Sequence, residues 1–393
     1  MDRRTFLRLG PPTAAVAAGS LLLATPGWAN AAPWGQGGVP GRNCGLPGNA
    51  LPNRPGVPDQ AFWELFERYG PGWTGADSTY SVLLPDGRTA WLFSDTFPGA
   101  VNPDRSRPDE GVHLVNNSIV LQDGDELTTL HGGSEDAPES LFVPTDGSTW
   151  YWVYDGVVEN DQLLVFLIKF LRFGDGTWDW EWNGTDIAAL SLPDLQLQRI
   201  TAAPADHGIQ WGAYVLPDGD HTYVYGIEDL GNPKLGHVAR APRGDVYDQN
   251  GWEYFTGSGW SSDPGASTAM LPDSIANEYS VTPMRGGYAL ITMDTSSDLE
   301  NWREIVAYFA CEPQGPWRDR TVLYRTPETD EPELWVYNAH AHPQFTQGSR
   351  VLISYNVNTS VFESLWDDAD RYRARFIRVH LPGIRRPRSG GGR

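Results

Sequence analysis

Three carboxylates, Asp77, Asp95 and Glu278, stand where a charge is costly for a fold and useful for chemistry. Asp77 and Asp95 lie near the two ends of GADSTYSVLLPDGRTAWLFSDTF, residues 75–97, which reads as two strands joined at a Pro-Asp-Gly turn. With the turn centred on Asp86, cross-strand partners have numbers summing to about 172, so Asp77 is expected opposite Asp95. Opposed side chains in an antiparallel pair have Cβ atoms about 4.5–5.5 Å apart, and like charges there are destabilising. In a dry site one member of such a pair takes a raised pKa. An acid–base site or a bound cation would use that arrangement. Glu278, in IANEYSV, begins another strand with Asn277 and Tyr279 beside it.

Further polar and aromatic candidates surround these acids. Glu139 in APESLFV lies beside Glu135 and Asp136, in what reads as a solvated loop. His340 and His342 in YNAHAHPQF are two apart, so a strand would point both the same way. They could hydrogen-bond a polar ligand or fix a carboxylate. A metal there would be calcium rather than zinc if carboxylates took part, but no third ligand is evident, so neither metal nor cofactor is expected. Tyr80, Trp211 and Tyr279 could stack on the apolar faces of sugar rings, and Asn116 and Asn117 could bind hydroxyl groups. In WDWEW, Trp178, Trp180 and Trp182 alternate with strict period two, which favours packing between sheets over a sugar platform.

The elements that position these residues repeat. The opening hairpin recurs at residues 139–155, 210–229, 278–294 and 340–356, a spacing of roughly 62 to 72 residues that signals a repeat architecture. Between hairpins there is room for two further strands, such as NNSIVLQDGDELTTL, LLVFLIKFLRF, REIVAYFA and RTVLYRT. Four antiparallel strands per unit and five units describe an all-β, five-bladed β-propeller. A pair of β-sandwiches would also show strands and turns, but would not repeat one hairpin five times. In a propeller the first strand of each blade lines the channel, so Asp77, Glu139, Trp211, Glu278 and His340 should converge at one mouth. PDQAFWELFERYG, residues 58–70, is the one helical pattern in the body, with Phe62, Leu65 and Phe66 on one face.

The ends and the charge set the context. Arg3-Arg4 followed by Thr5, Phe6 and Leu7, a short Gly/Ala-rich apolar run, and small residues near Ala29 to Ala32 read as a twin-arginine export signal over residues 1–32. An extension (33–59), the propeller (60–384) and a basic, glycine-rich, disordered tail (385–393) should follow. The formal charge of −21 argues against nucleic acid and, once the signal is removed, against an anionic membrane as partner. Cys44 and Cys311 are the only cysteines, and export would allow them to form one bridge.

The first hairpin, the VNNSIV segment, YNAHAHPQF and the closing VLISYNVN resemble secreted actinobacterial propeller proteins of unknown function. Their layout is similar to that of the five-bladed arabinanase, arabinofuranosidase and levansucrase glycoside hydrolases, and a related branch comprises endo-D-arabinanases. The resemblance implies a two-carboxylate glycoside hydrolase acting on a neutral polysaccharide, including arabinan-containing cell-wall glycans. It puts Asp77 in the place of base or nucleophile, Glu278 in that of general acid, and Asp95 or Glu139 as the acid that tunes the donor. The Arg-Asp-Pro string usual in the first blade of arabinanases is absent. The alternatives are a sugar-binding propeller without catalysis and a scaffold whose acidic mouth holds calcium.

Overall fold

A computed structural model describes Cys44 and residues 55–176, 179–204 and 207–387. The segment expected to be an export signal, most of the extension, Trp178 and residues 388–393 lie outside the described residues.

Five antiparallel sheets form the body, and the chain is a five-bladed β-propeller. The innermost strands are Trp73–Leu83, Thr149–Glu159, Ile209–Asp218, Ser280–Met284 and Leu334–Gln347, and successive ones pack on one another until the fifth meets the first. Four sheets have four strands, and the third gains the short strand Trp260–Ser261 at its outer edge. The fifth blade takes its outermost strand from the other end of the chain: Val57–Pro58 pairs with Arg375–His380. Closing the ring in this way ties the ends of the chain together and leaves the first blade no open neighbour. Cys44 and Cys311 are joined by a disulfide. At the other terminus, Arg385 N donates to Pro283 O at 2.9 Å, so the start of the basic tail is attached to the fourth blade.

Aromatic and β-branched residues make these strands, and their inward faces fill the space between sheets. The helix Gln60–Phe66 is capped by Asp59, whose Oδ1 accepts from Phe62 N at 3.1 Å. It closes the outer end of the first and fifth blades, with Phe62 4.8 Å from Phe345 and Phe66 5.1 Å from Trp91 between ring centroids. Among the described residues no helix is long and apolar enough to cross a membrane.

Four of the five hairpins lie where the repeat predicts. In the second unit, Asp146-Gly147 precedes the inner strand instead of dividing a hairpin: Asp146 accepts from the backbone of Ser148 and Thr149, and the strand begins at Thr149. The hairpin turns later, at Asn160-Asp161, where both residues are left-handed (φ 50° and 59°). Glu139 consequently sits outside the ring, in a small separate hairpin, exposed and paired with Gly132.

Candidate active site

The inner strands are interrupted near one end of the channel. Pairing shifts between Ser78 and Tyr80, between Val153 and Gly156, between Trp211 and Tyr214, and between Tyr337 and His340. A bulge breaks the two-residue alternation and re-aims side chains, and bulges gather beside active sites. In the first blade Ser78 and Thr79 are both left-handed, with φ of 70° and 66°, a conformation costly for such residues. Asn356 holds it, its Nδ2 donating to Thr79 Oγ1 at 2.9 Å and Ala76 O at 3.3 Å. In the third blade Gly212 is left-handed at φ 105°, and a Cβ there would stand 2.4 Å from Phe166.

The predicted register holds on both sides of the first bulge, where Ala76 pairs with Thr96 and Tyr80 with Leu92. Between them Asp77 has no single partner and lies across from Ser94 and Asp95. Asp77, Ser78, Ser94, Asp95 and Glu278 all line one cleft of about 1370 Å³ at the mouth of the channel.

Each acid is held differently. Tyr337 donates to Asp77 Oδ2 at 3.1 Å, and the Tyr372 hydroxyl lies against the same carboxylate. Asp77 Oδ1 has no partner in the protein. Asp95 Oδ1 accepts from Trp152 Nε1 at 2.8 Å and from Asn116 Nδ2 at 3.1 Å. Glu278 Oε1 accepts from Asn338 Nδ2 at 2.9 Å and lies 2.9 Å from Ser78 Oγ, itself 2.7 Å from Ser94 Oγ.

Electrostatics separates the three further. Asp77 and Asp95 retain some exposure to the cleft, yet enough protein surrounds them to disfavour charge. Desolvation, then the Asp95 charge, pushes Asp77 up to about 7, against the pull of Tyr372 and Tyr337. Desolvation pushes Asp95 up to about 6, against the donors Asn116 and Trp152. Glu278 is buried and held well above the usual carboxylate range, first by desolvation and then by the charge on Asp77. Its Oε2 stands 3.3 Å from His340 Nε2, but burial pushes His340 down to about 3, so the imidazole is neutral and the contact is not an ion pair at neutral pH. The arrangement offers a carboxyl biased toward its protonated form beside a carboxylate pair that titrates near neutrality.

Of the other sequence candidates Asn116 lines this cleft and most of the rest lie outside it, because sequence neighbours point to opposite sides. Gln210 lines the cleft while Trp211 turns into the core, its ring 5.6 Å from Tyr254 and 6.1 Å from Trp252. Glu278 lines it while Tyr279 is buried and donates to Gly226 O at 2.8 Å. Asn116 lines it while Asn117 is buried, accepting from Phe142 N and donating to the carbonyls of Phe142 and Tyr151. Tyr80 is buried beside Glu278 with its ring 4.1 Å from His340. His342 is fixed between Ser81 Oγ at 2.6 Å and Ser354 Oγ at 2.8 Å. Glu139 remains on its outer hairpin. Among the described residues no cluster of three or more His, Cys, Asp or Glu is arranged to hold a metal ion.

Several cleft residues were not anticipated. Trp180 and Trp182, whose period-two spacing was read as packing between sheets, form part of its wall together with Trp150 and Trp152 of WYW. Asn338 lies two residues before His340. Tyr372 comes from the short helix Ala369–Tyr372 and has no local signature.

Fold and site together define a five-bladed propeller with an acidic, aromatic-walled cleft at one mouth. The chain belongs to the family described as Domain of unknown function (DUF5005), whose model matches residues 59–381. It is similar to a solved structure of a “putative hydrolase” from Bacteroides ovatus, with 23% identity over 84% of this chain and 93% of that one and a TM-score of 0.71, a likeness of fold. More distant likenesses include the GH43_1 enzyme of Xanthomonas citri complexed with xylose, with 13% identity over 84% and 93% of the two chains and a TM-score of 0.46. An exo-1,5-alpha-L-arabinanase from a bovine ruminal metagenomic library shows 10% identity over 82% and 100%, with a TM-score of 0.44. No curated protein matches the chain.

Proposed function

We propose that this protein is an exported glycoside hydrolase that cleaves a neutral polysaccharide with Glu278 as general acid and Asp77 as base or nucleophile. The observation that carries this is the meeting of Asp77, Asp95 and Glu278 in one cleft, with Glu278 held protonated beside a pair that ionises near neutrality. Glycoside hydrolysis usually needs one protonated and one ionised carboxyl flanking the scissile bond. Oε1 of Glu278 is held by Ser78 and Asn338, which orient the protonated carboxyl. The carboxyl proton passes to the glycosidic oxygen as its bond to the anomeric carbon breaks. The Asp77 carboxylate, which lines the cleft, either attacks that carbon or takes a proton from the attacking water. Asp95, fixed by Trp152 and Asn116, sets the charge felt by Asp77.

The acidic cleft and strongly negative chain disfavour anionic glycans, and the sequence resemblance makes arabinan-containing cell-wall glycans the first substrates to try. The twin-arginine sequence and the Cys44–Cys311 bridge support export to an oxidising compartment. Incubation with a panel of arabinans, xylans, galactans and β-glucans, followed by measurement of reducing ends, tests the activity. Sugar release from at least one is expected. Binding without release from any would instead make the protein a non-catalytic sugar-binding propeller.

A further inference from the structure

The sheet of the second blade is longer than the propeller needs. Its second and third strands, Gln162–Arg172 and Trp180–Ser191, have 11 and 12 residues, against 7 and 7 in the fourth blade and at most 10 and 9 in any other. The surplus lies at the mouth. Trp150 and Trp152 begin the first strand, Phe170 and Arg172 end the second, and Trp180 and Trp182 begin the third. Pairing sets Trp150 beside Phe170, and Phe170 beside Trp182, in one row across the sheet, with Arg172 paired to Trp180. All six side chains line the cleft, so this extension presents one continuous aromatic face to it.

The face is braced as a rigid surface. Trp152 stands 5.1 Å from Trp180 and 4.5 Å from Phe170 between ring centroids, and the Arg172 guanidinium lies 5.6 Å from the Trp150 ring. Its inner end reaches the acids directly, because Trp152 donates its indole N–H to Asp95 Oδ1 at 2.8 Å. The four indoles pack against the core on one side and are left partly exposed to an acidic cleft on the other. Polymers whose units have apolar C–H faces and hydroxyl edges suit such a surface, since indole surface takes the faces while cleft carboxylates and amides take the edges. Trp150 and Trp152, alternate residues of one strand, have ring centroids 6.0 Å apart and meet edge to face, so each can meet a separate sugar ring.

We infer that Trp150, Trp152, Trp180 and Trp182 form a binding subsite for several consecutive sugar rings of a neutral glycan, leading from the rim of the second blade to Asp77, Asp95 and Glu278. This rests on the hydrolase assignment for the identity of the ligand, and it adds that the protein selects a chain over a free sugar. Trp152 is the positioning residue at the junction, ring toward the glycan and N–H toward Asp95.

The test is calorimetric titration of the Asp77→Asn protein with arabinose, xylose and galactose oligomers, from monomers to hexamers. At least one series should bind more tightly as the chain lengthens. Trp182→Ala, and independently Trp150→Ala, should weaken the best hexamer about tenfold, as loss of an aromatic anchor worth ~1.4 kcal/mol does, while Trp182→Phe stays close to the parent. Monomer binding should not change. No binding by any oligomer, equal affinity for monomer and hexamer, or hexamer affinity untouched in both alanine variants would overturn the inference. Its failure is distinguishable from that of the hydrolase assignment. Length-dependent binding with no turnover by the wild type would sink the activity and keep the wall, whereas turnover of polysaccharide with a KM indifferent to both alanine changes would sink the wall alone.

Discussion

Tyr337 of the fifth blade donates its hydroxyl to Asp77 of the first at 3.1 Å, joining two strands 260 residues apart in sequence and adjacent in the ring. The bond stabilises the charged form of Asp77 and opposes the burial that pushes this acid up to about 7. Tyr337→Phe removes the donor and keeps the ring. The acid limb of the kcat/KM profile is expected to move to higher pH by about one unit, because a hydrogen bond to a charged group contributes roughly 1.5 kcal/mol and one unit corresponds to ~1.4 kcal/mol. A limb that stays in place would show that Asp77 is not the group titrating there.

Asp95 acts on the same acid in the opposite sense. Its charge raises Asp77, so Asp95→Asn should let Asp77 ionise at lower pH and move the acid limb down. A pH series on this variant and on Tyr337→Phe, run side by side, checks the pair: displacements of opposite sign are expected, and displacements of the same sign would contradict the assignment.

Glu278→Gln keeps the side chain's shape and its acceptor for Ser78 and Asn338 but cannot deliver a proton. General acid catalysis contributes about 10²–10⁴-fold, so hydrolysis of natural polysaccharide should fall by that much. Aryl glycosides with acidic phenol leaving groups need little protonation and should lose far less. Equal losses on both substrates would point to misfolding or to another donor.

Asp155, on the second inner strand, accepts from Val215 N at 2.9 Å and is only 4% exposed. Burial pushes it up to about 7 from an ordinary 3.8. Between those values the folded state holds a proton that the unfolded chain has released, so Asp155 makes stability fall as pH rises through that window. Asp155→Asn removes this dependence. Thermal unfolding should show the variant gaining on the wild type from about pH 4 to about pH 7. A constant difference in Tm across that range would contradict it.

How much of this was legible in the sequence depended on where turn chemistry and parity could be read. Pro-Asp-Gly at 85–87, Pro-Asp-Gly at 217–219, Arg-Gly-Gly at 285–287 and Gln-Gly at 347–348 mark real hairpin turns, and with their spacing they suffice for the five blades. Asp146-Gly147 carries the same signature but caps the entrance to a strand, which is why Glu139 was placed at the mouth and the true second inner strand was not. Asp77 and Glu278 were placed at the mouth because the sequence reads as strand starts there, although Asp77 is the fifth residue of its strand and Glu278 lies two residues before its own. Trp211 and Tyr279 were expected beside them, but a neighbour on a strand points the other way. Tyr372 reaches Asp77 through the ring closure, a contact no local pattern encodes. The tryptophans of the second blade had the spacing of sheet packing, and only the surplus length of their strands shows that this face meets the cleft.

The central claim is that Asp77 and Glu278 together break a glycosidic bond. Reducing-end release from the best polysaccharide substrate, measured for wild type, Asp77→Asn and Glu278→Gln at saturating substrate with binding checked by calorimetry, tests it most directly. Both variants should still bind the glycan, with Asp77→Asn losing at least ~10³-fold in kcat. Full activity in Asp77→Asn, from a variant that folds and binds, would contradict the account.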